Sequence, residues 1–151
     1  MTSARVRVVH EERVAAAASD VWPFFDWPNL ERMRPAGFFA EIRYAERRPI
    51  AGATRSILLG GDRGNGATLE EILEQCDADA MQLKYRIADP APMPIADYRG
   101  EVSVTALDTT HCVVRFTCEC MLNGIDEAQW RELYGAMQRD SVEFIRRSLT
   151  R

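Results

Sequence analysis

Hydrophobic and polar residues alternate along most of this chain, and they change to a helical spacing only near its C-terminus. Strict alternation is the period of a β-strand with one buried face. It predicts seven strands, at residues 5–14, 38–48, 54–59, 67–77, 81–87, 98–107 and 111–121. The stretch 67–77 also has a high helical propensity, but a turn at residues 77–79 and the clean alternation after it favour a hairpin.

The last stretch, from Asn123 to Leu149, has the spacing of one long amphipathic helix. Asp126 and Gln129 form a capping-box pattern at its start, and arginines near its end suit the negative pole of the helix dipole. Its apolar stripe consists of Trp130, Leu133, Tyr134, Met137, Phe144, Ile145 and Leu149. A stripe of this length needs another layer of structure to cover it.

Two short helices are predicted between the first and second strands. Ser19 is the candidate N-cap of the first helix, which carries Pro23 in its first turn and ends near Pro28. The second covers residues 29–33 and ends before Arg34-Pro35. This order of elements predicts an α+β fold in a single domain, residues 1–151, in which antiparallel strands pack on one helix.

Composition and charge argue against two classes of function, nucleic-acid binding and membrane spanning. The formal net charge of −4, without a basic cluster, argues against a nucleic-acid-binding surface. No apolar run is long enough to cross a membrane, and an N-terminus with Arg5 and Arg7 is unlike a signal peptide. We therefore expect a cytoplasmic protein with no membrane span and no nucleic-acid partner. A second copy of the chain, forming a homodimer, is a candidate partner.

The cysteines and histidines do not have the spacing of a metal site. Cysteines of a cytoplasmic protein are usually reduced and behave as small buried hydrophobic residues. Those of this chain are Cys76, Cys112, Cys118 and Cys120, and its histidines are His10 and His111. No zinc-type arrangement is present among them. We expect neither a metal nor a cofactor.

Several stretches of sequence together carry a resemblance to a known family. They are Asp20–Leu30, Gly52–Arg55 leading into Gly60-Gly61, Leu69–Leu73, Tyr85–Ile87 and Tyr98–Val102. With the element order, they make the chain resemble the START/Bet v 1-like helix-grip superfamily, specifically its bacterial polyketide cyclase/dehydrase-like branch. The resemblance implies a curved seven-stranded antiparallel sheet around the C-terminal helix and a largely apolar cavity between them. Relatives include plant hormone receptors, lipid carriers and aromatic polyketide cyclases, so a hydrophobic small-molecule ligand is implied.

The resemblance also suggests particular site residues. The receptors' gate loop matches Gly60–Gly66, although this chain lacks their Leu-Pro centre, which argues against hormone sensing and leaves a flexible lid. A cavity lysine beside a proline matches Arg34 here, and a glutamate on the strand after the gate matches Glu70.

Strand parity places polar residues among those that face the cavity. His10 shares its face with Val8 and Val14, so it is either a general acid or base or a hydrogen-bonded structural histidine. Arg55 shares its face with Ile57 and Leu59 and must be paired or must bind an anionic or carbonyl oxygen.

Glu70 is the natural partner of Arg55 if Glu70 and Ile72 face inward. A shift of one residue in the register would place Glu71 there instead. Either pair is compatible with a structural role and with a catalytic one.

Three phenols, those of Tyr85, Tyr98 and Tyr134, could meet around one cavity. Such groups orient a carbonyl or stabilise an enolate, and they are equally compatible with a role as core aromatics. We therefore predict His10, Arg55, Glu70 and Tyr98 as the catalytic candidates. The predicted ligand-binding residues are Trp22, Trp27, Arg34, Ile57, Leu59, Tyr85, Phe116, Trp130, Tyr134 and Met137.

Three functional hypotheses follow. The first is an enzyme that cyclises or dehydrates a carbonyl-bearing, polyketide-like metabolite. The second is a non-catalytic carrier or sensor that uses the same cavity, and the third is an accessory protein whose loops or sheet edge bind a partner. A closed cavity below about 100 Å³ would favour the third, because ligand pockets are normally several times larger.

Overall fold

A seven-stranded antiparallel sheet packs on one long helix, as the alternation predicts. The computed structural model describes residues 5–60 and 66–150. The strands are β1 (Arg5–Val14), β2 (Phe39–Tyr44), β3 (Thr54–Leu59), β4 (Thr68–Asp77), β5 (Gln82–Ile87), β6 (Ile95–Ala106) and β7 (Cys112–Leu122). Their order across the sheet is β1-β7-β6-β5-β4-β3-β2. Every neighbouring pair is antiparallel. The predicted helix-grip fold is confirmed.

The short helices between β1 and β2 differ in detail from the prediction. Helix α1 (Ala18–Val21) begins after Ala17, so Ser19 lies inside it and is not its N-cap. A 3-10 turn (Trp22–Phe24) follows, and a longer 3-10 segment (Trp27–Ala36) includes Pro35 and is interrupted at Asn29. Prolines favour such short, tight turns over an uninterrupted α-helix because they lack a backbone N–H.

Helix α2 (Glu127–Leu149) begins with the predicted capping box. The Asp126 side chain accepts from the Gln129 backbone at 2.8 Å, and the Gln129 side chain accepts from the Asp126 backbone at 3.2 Å. The helix buries Trp130, Tyr134, Gly135, Val142 and Ile145 against the sheet. Its apolar face therefore forms one wall of the core.

Irregularities bend the strands around α2. The register shifts in β2, between Leu73 and Gln75 in β4, and between Ala96 and Arg99 in β6. Bulges of this kind increase local twist and bend a strand, which allows the sheet to curve. Residues 61–65, at the centre of the predicted lid, lie outside the described residues. Among the described residues, no helix is long and apolar enough to cross a membrane.

Candidate functional site

A partly open cavity of about 170 Å³ lies between the sheet and helix α2. Arg55 on β3 and Glu71 on β4 line it, with Tyr85 on β5 and Tyr134 on α2. Its apolar residues come from the strands and from the stretch between β1 and β2. They are Phe25, Leu30, Met33, Phe38, Phe39, Leu83, Val102 and Phe116. The volume exceeds the limit of about 100 Å³ below which an accessory role was favoured, but it is smaller than the ~300–1,000 Å³ typical of drug-sized ligands.

A buried ion pair forms the polar side of this cavity. Arg55 and Glu71 are direct cross-strand partners. Arg55 is only 3% exposed, and its Nη2 and Nε lie 2.7 and 2.8 Å from Oε1 of Glu71. Burying one of these charges without the other would be strongly unfavourable, so each requires its partner.

Arg55 also connects the sheet to the 3-10 segment. Its Nη1 donates to the carbonyl oxygen of Trp27 at 2.8 Å, and its guanidinium stacks over the Trp27 ring at 4.0 Å. The Tyr44 hydroxyl donates to the same carbonyl oxygen at 2.7 Å. Trp27 is therefore a platform behind Arg55 and does not line the cavity.

The Glu70 prediction was wrong. The register of β4 buries Leu69, Glu71 and Leu73 and leaves Glu70 exposed. The parity that turns two leucines inward buries more apolar surface than the parity that turns Ile72 inward. This comparison of Leu69 and Leu73 with Ile72 was the signal that could have identified Glu71.

Tyr85 is another polar residue of the cavity wall. It lies opposite Gly100, where a Cβ atom would meet the Tyr85 hydroxyl oxygen at 2.6 Å, so the ring occupies the space that glycine leaves. Burial, and then the negative charge of Glu71, raise the pKa of Tyr85. Tyr85 is therefore a neutral hydrogen-bond donor at physiological pH.

Two further phenols adjoin Tyr85. The hydroxyl oxygens of Tyr85 and Tyr98 are 3.5 Å apart, and burial raises the pKa of Tyr98 and of Tyr134 as well. Tyr98 contacts the Trp130 ring edge-on, with 6.5 Å between the ring centroids. The structure thus brings the three predicted tyrosines together.

His10 lies on the predicted inner face but not in the cavity wall. Its Nε2 is 2.8 Å from Oε2 of Glu12, and its Nδ1 is 3.7 Å from the position of a Cβ on Gly135 of α2. Glu12 in turn contacts Arg146 at 3.3 Å. This arrangement connects β1 to α2, and it corrects the prediction that His10 faces the ligand.

Other predicted ligand-binding residues also lie away from the cavity wall. Arg34 is exposed, and Met33 beside it faces inward. Trp130 is fully buried in the core and does not line the cavity. Of the predicted set, the wall includes Arg55, Tyr85, Phe116 and Tyr134 but not Tyr98, Trp22, Ile57, Leu59 or Met137.

Helix α2 contributes two polar wall residues that the sequence did not single out. Gln138 and Ser141 follow Tyr134 by four and seven positions, which places them on the same helix face. The Ser141 hydroxyl donates to the Met137 carbonyl oxygen at 3.1 Å. The helical spacing from Tyr134 was the signal that could have found both.

Larger hollows lie on the outer surface, but they lack the chemistry of the cavity. One of about 490 Å³ lies where Ala15–Ala17 meets the C-terminal end of α2, and one of about 470 Å³ lies between the 3-10 segment and α2. Neither is lined by the ion pair or by the phenols. Within residues 5–60 and 66–150, no group of three or more His, Cys, Asp or Glu side chains is placed to hold a metal ion.

Comparisons with known proteins agree with this architecture. The family described as polyketide cyclase / dehydrase and lipid transport matches residues 5–151. No curated protein sequence matches the chain.

Three solved structures illustrate the structural likeness. An uncharacterized protein from Bacillus thuringiensis is 14% identical with a TM-score of 0.79, covering 97% of this chain and 100% of that one. Norcoclaurine synthase from Thalictrum flavum, in complex with dopamine and hydroxybenzaldehyde, is 16% identical with a TM-score of 0.66, covering 95% and 88%. A protein from Thermobifida fusca is 29% identical with a TM-score of 0.64, covering 89% and 84%.

Proposed function

Because the chain belongs to the polyketide cyclase/dehydrase and lipid transport family, we propose that it binds a small hydrophobic carbonyl compound and promotes its cyclisation or dehydration. One observation carries this proposal. The buried Arg55–Glu71 pair and Tyr85 line a cavity whose remaining wall is mostly apolar, apart from Glu101, Tyr134, Gln138 and Ser141. A few convergent polar groups in an apolar pocket are the usual composition of a small-molecule site.

The size of the cavity limits the ligand. Its volume of about 170 Å³ suits a single aromatic ring or a short carbon chain, since an apolar cavity of about 150 Å³ holds benzene. Norcoclaurine synthase, a structural neighbour, is described in complex with dopamine and hydroxybenzaldehyde, and the second of these is a one-ring carbonyl compound. This neighbour supports an aromatic carbonyl compound as the class of ligand here.

The polar residues have distinct roles in the proposed reaction. Tyr85, a neutral donor, binds the carbonyl oxygen, and the carboxylate of Glu71 removes a proton from the adjacent carbon. The C–H electrons form an enolate, whose carbon attacks a second carbonyl of the same molecule and closes a ring. The resulting alkoxide takes the proton back from Glu71 and becomes a hydroxyl group. Glu71 then removes a second proton from the carbon that attacked, the C–H electrons form a C=C bond, and the hydroxyl group leaves with that proton as water.

Arg55 is a positioning residue in this scheme. Both of its short contacts with Glu71 use Oε1, so Oε2 is the oxygen assigned to proton transfer. Its bond to Trp27 holds the guanidinium in place while the carboxylate changes charge. The apolar walls keep water from competing for the enolate.

A carrier without catalysis is the second candidate. It is favoured by the complete pairing of the Arg55 guanidinium with groups of the protein itself. Glu71, the Trp27 carbonyl and the Trp27 ring together satisfy the guanidinium, which is the pattern of a structural ion pair. A carrier would use the same cavity and the same neutral phenols. Turnover separates the two candidates.

Binding in the cavity is tested with two matched serine variants. Ser141 lines the cavity, whereas Ser148 lies on the same helix and borders an outer hollow. Both hydroxyls donate to the carbonyl oxygen four residues earlier. We expect Ser141→Leu to abolish binding of acetophenone, measured by calorimetry, and Ser148→Leu to retain it. Equal binding by both variants would place the ligand elsewhere.

Catalysis is tested with a linear polyketone substrate and mass spectrometry of the products. We expect Glu71→Gln to reduce the rate of ring closure by at least ~100-fold and Tyr85→Phe by roughly tenfold or more, in the range of general acid–base and hydrogen-bond catalysis. His10→Ala serves as the control and should retain activity. Binding without turnover in the unmodified protein would favour the carrier.

A further inference from the structure

Gln138 is a polar residue of the cavity wall whose side-chain amide is not used by the protein. It is half-buried on helix α2, and within the described part of the chain its amide makes no hydrogen bond. A glutamine amide carries two N–H donors and an acceptor oxygen. Gln138 can therefore donate to, or accept from, a molecule in the cavity.

Several other polar groups of the wall are already bonded within the protein. The two charges of the ion pair on the sheet satisfy each other. Glu101 accepts a hydrogen bond from Gln82, and the Ser141 hydroxyl donates to a backbone carbonyl oxygen of its own helix. Gln138 differs from these residues because both its donors and its acceptor are free for a ligand.

The position of Gln138 on α2 directs its side chain towards the ligand. Residues four apart lie on the same face of a helix, and Gln138 follows the buried Tyr134 by four positions. Side chains on a helix lean towards its N-terminus, so the Gln138 side chain extends over the turn that carries Tyr134. Both residues line the cavity. The amide therefore belongs to the helix side of the cavity.

Polar groups thus lie on two walls of the cavity. Glu71 and Tyr85, which act on the first carbonyl in the proposed reaction, belong to strands β4 and β5. Gln138 belongs to the helix that packs on the sheet. A ligand with one carbonyl group can satisfy the sheet wall, but it leaves the helix wall without a polar partner.

A ligand in the cavity displaces water from the Gln138 amide. A polar group that loses water without gaining a hydrogen bond weakens binding, whereas a matching oxygen on the ligand recovers the loss. A site of this kind discriminates against an analogue that lacks the matching oxygen. The helix wall therefore favours a ligand with a second oxygen.

We propose that Gln138 is a specificity-determining residue that donates a hydrogen bond to a second oxygen of the ligand, and that the substrate class is a short diketone. In the proposed reaction an enolate attacks a second carbonyl of the same molecule, and Gln138 holds the oxygen of that carbonyl at the helix wall. This inference deepens the proposed function and rests on it, because it requires the ligand to occupy this cavity.

The test uses 2,6-heptanedione and 2-heptanone, which have the same carbon chain and differ by one carbonyl oxygen. NMR titration measures both affinities and also follows the side-chain NH₂ signals of Gln138. We expect the unmodified protein to bind the diketone roughly threefold to tenfold more tightly, the scale of one neutral hydrogen bond. The Gln138 side-chain signals should shift with the diketone and much less with the monoketone.

Two substitutions at Gln138 separate hydrogen bonding from shape. Gln138→Met keeps an unbranched side chain of the same length and removes the amide, so it should bind the two ketones about equally. Gln138→Glu keeps the shape, but a carboxylate has no N–H to donate, so it should lose the preference as well. Gln75→Met, at an exposed position of β4 outside the cavity, is the matched control and should keep the preference. Thermal unfolding checks that each variant is folded.

The outcomes separate this inference from the proposed function. If Gln138→Met retained the preference for the diketone, or if the unmodified protein bound the two ketones equally, the inference would be overturned and the cavity would remain a ligand site. Unshifted Gln138 side-chain signals with the diketone bound would overturn it as well. If the unmodified protein bound neither ketone, both the inference and the proposed function would fail.

Discussion

Replacing Glu71 with glutamine tests whether the buried ion pair was assigned to the right glutamate. The substitution keeps the shape of the side chain and an oxygen that can accept from Arg55, but it removes the negative charge. Arg55, 3% exposed, would then hold an uncompensated positive charge in the core. Glu70→Gln, one position earlier on the exposed face of β4, is the matched control.

The expected loss of stability follows from the geometry of the pair. Two unit charges about 4 Å apart attract each other by about 4 kcal/mol at an effective dielectric constant near 20. The contacts of Arg55 with the carbonyl oxygen and ring of Trp27 remain, and they offset part of the loss. We therefore expect Glu71→Gln to lower the free energy of unfolding by about 3 kcal/mol, the low end for breaking a buried pair.

Urea and thermal unfolding measure this difference. A loss of about 3 kcal/mol should lower Tm by roughly 6–12 °C in a domain of this size, whereas Glu70→Gln should change stability by less than about 0.5 kcal/mol. The double variant Arg55→Met with Glu71→Leu should recover most of the stability, because it buries no charge. The reasoning fails if the two glutamate variants are equally stable, or if Glu70→Gln is the less stable.

Three further predictions concern packing, the phenols and the helix cap. Gly100→Ala should lower stability by about 1–3 kcal/mol in urea unfolding, because the new methyl group meets the Tyr85 ring; an unchanged stability would contradict the close packing. Burial raises the pKa of all four tyrosines above the value near 10 that they have in the unfolded chain. Stability should therefore be unaffected below pH ~10 and should fall as the pH rises above it, because the unfolded chain ionises there more readily than the folded one. Absorbance at alkaline pH should show the phenolates of Tyr85, Tyr98 and Tyr134 only on unfolding, and titration of any of these three near 10 in the native protein would be inconsistent with this. Asp126→Ala should lower stability by about 1 kcal/mol while Asp126→Asn largely retains it, because only the second keeps a side-chain acceptor for the Gln129 backbone; equal losses would show that the cap contributes little.

Local patterns were sufficient to predict most of the fold. β1 begins and ends at the predicted residues, and the capping box at Asp126 forms as its spacing indicated. Both features depend on residues that are close in the sequence. Ser19 fails as an N-cap because the chain enters the helix two residues earlier, after Ala17, which depends on how α1 packs.

The candidate site was harder to predict because it depends on register and on helix placement. Alternation alone allowed Glu70 or Glu71 to face inward, and the pairing of β4 with β3 places Glu71 directly opposite Arg55. His10 faces inward as parity predicted, but α2 covers it, since the position of a helix over a sheet is not a local property. The homodimer and the cytoplasmic location stay predictions.

The most direct test of the central claim is an NMR titration of the labelled protein with acetophenone. If the cavity is the ligand site, the largest amide shifts should lie at Glu71, Tyr85 and Ser141, and Ser141→Leu should remove them while Ser148→Leu retains them. Shifts confined to the outer hollows, or an unchanged response in Ser141→Leu, would contradict the account.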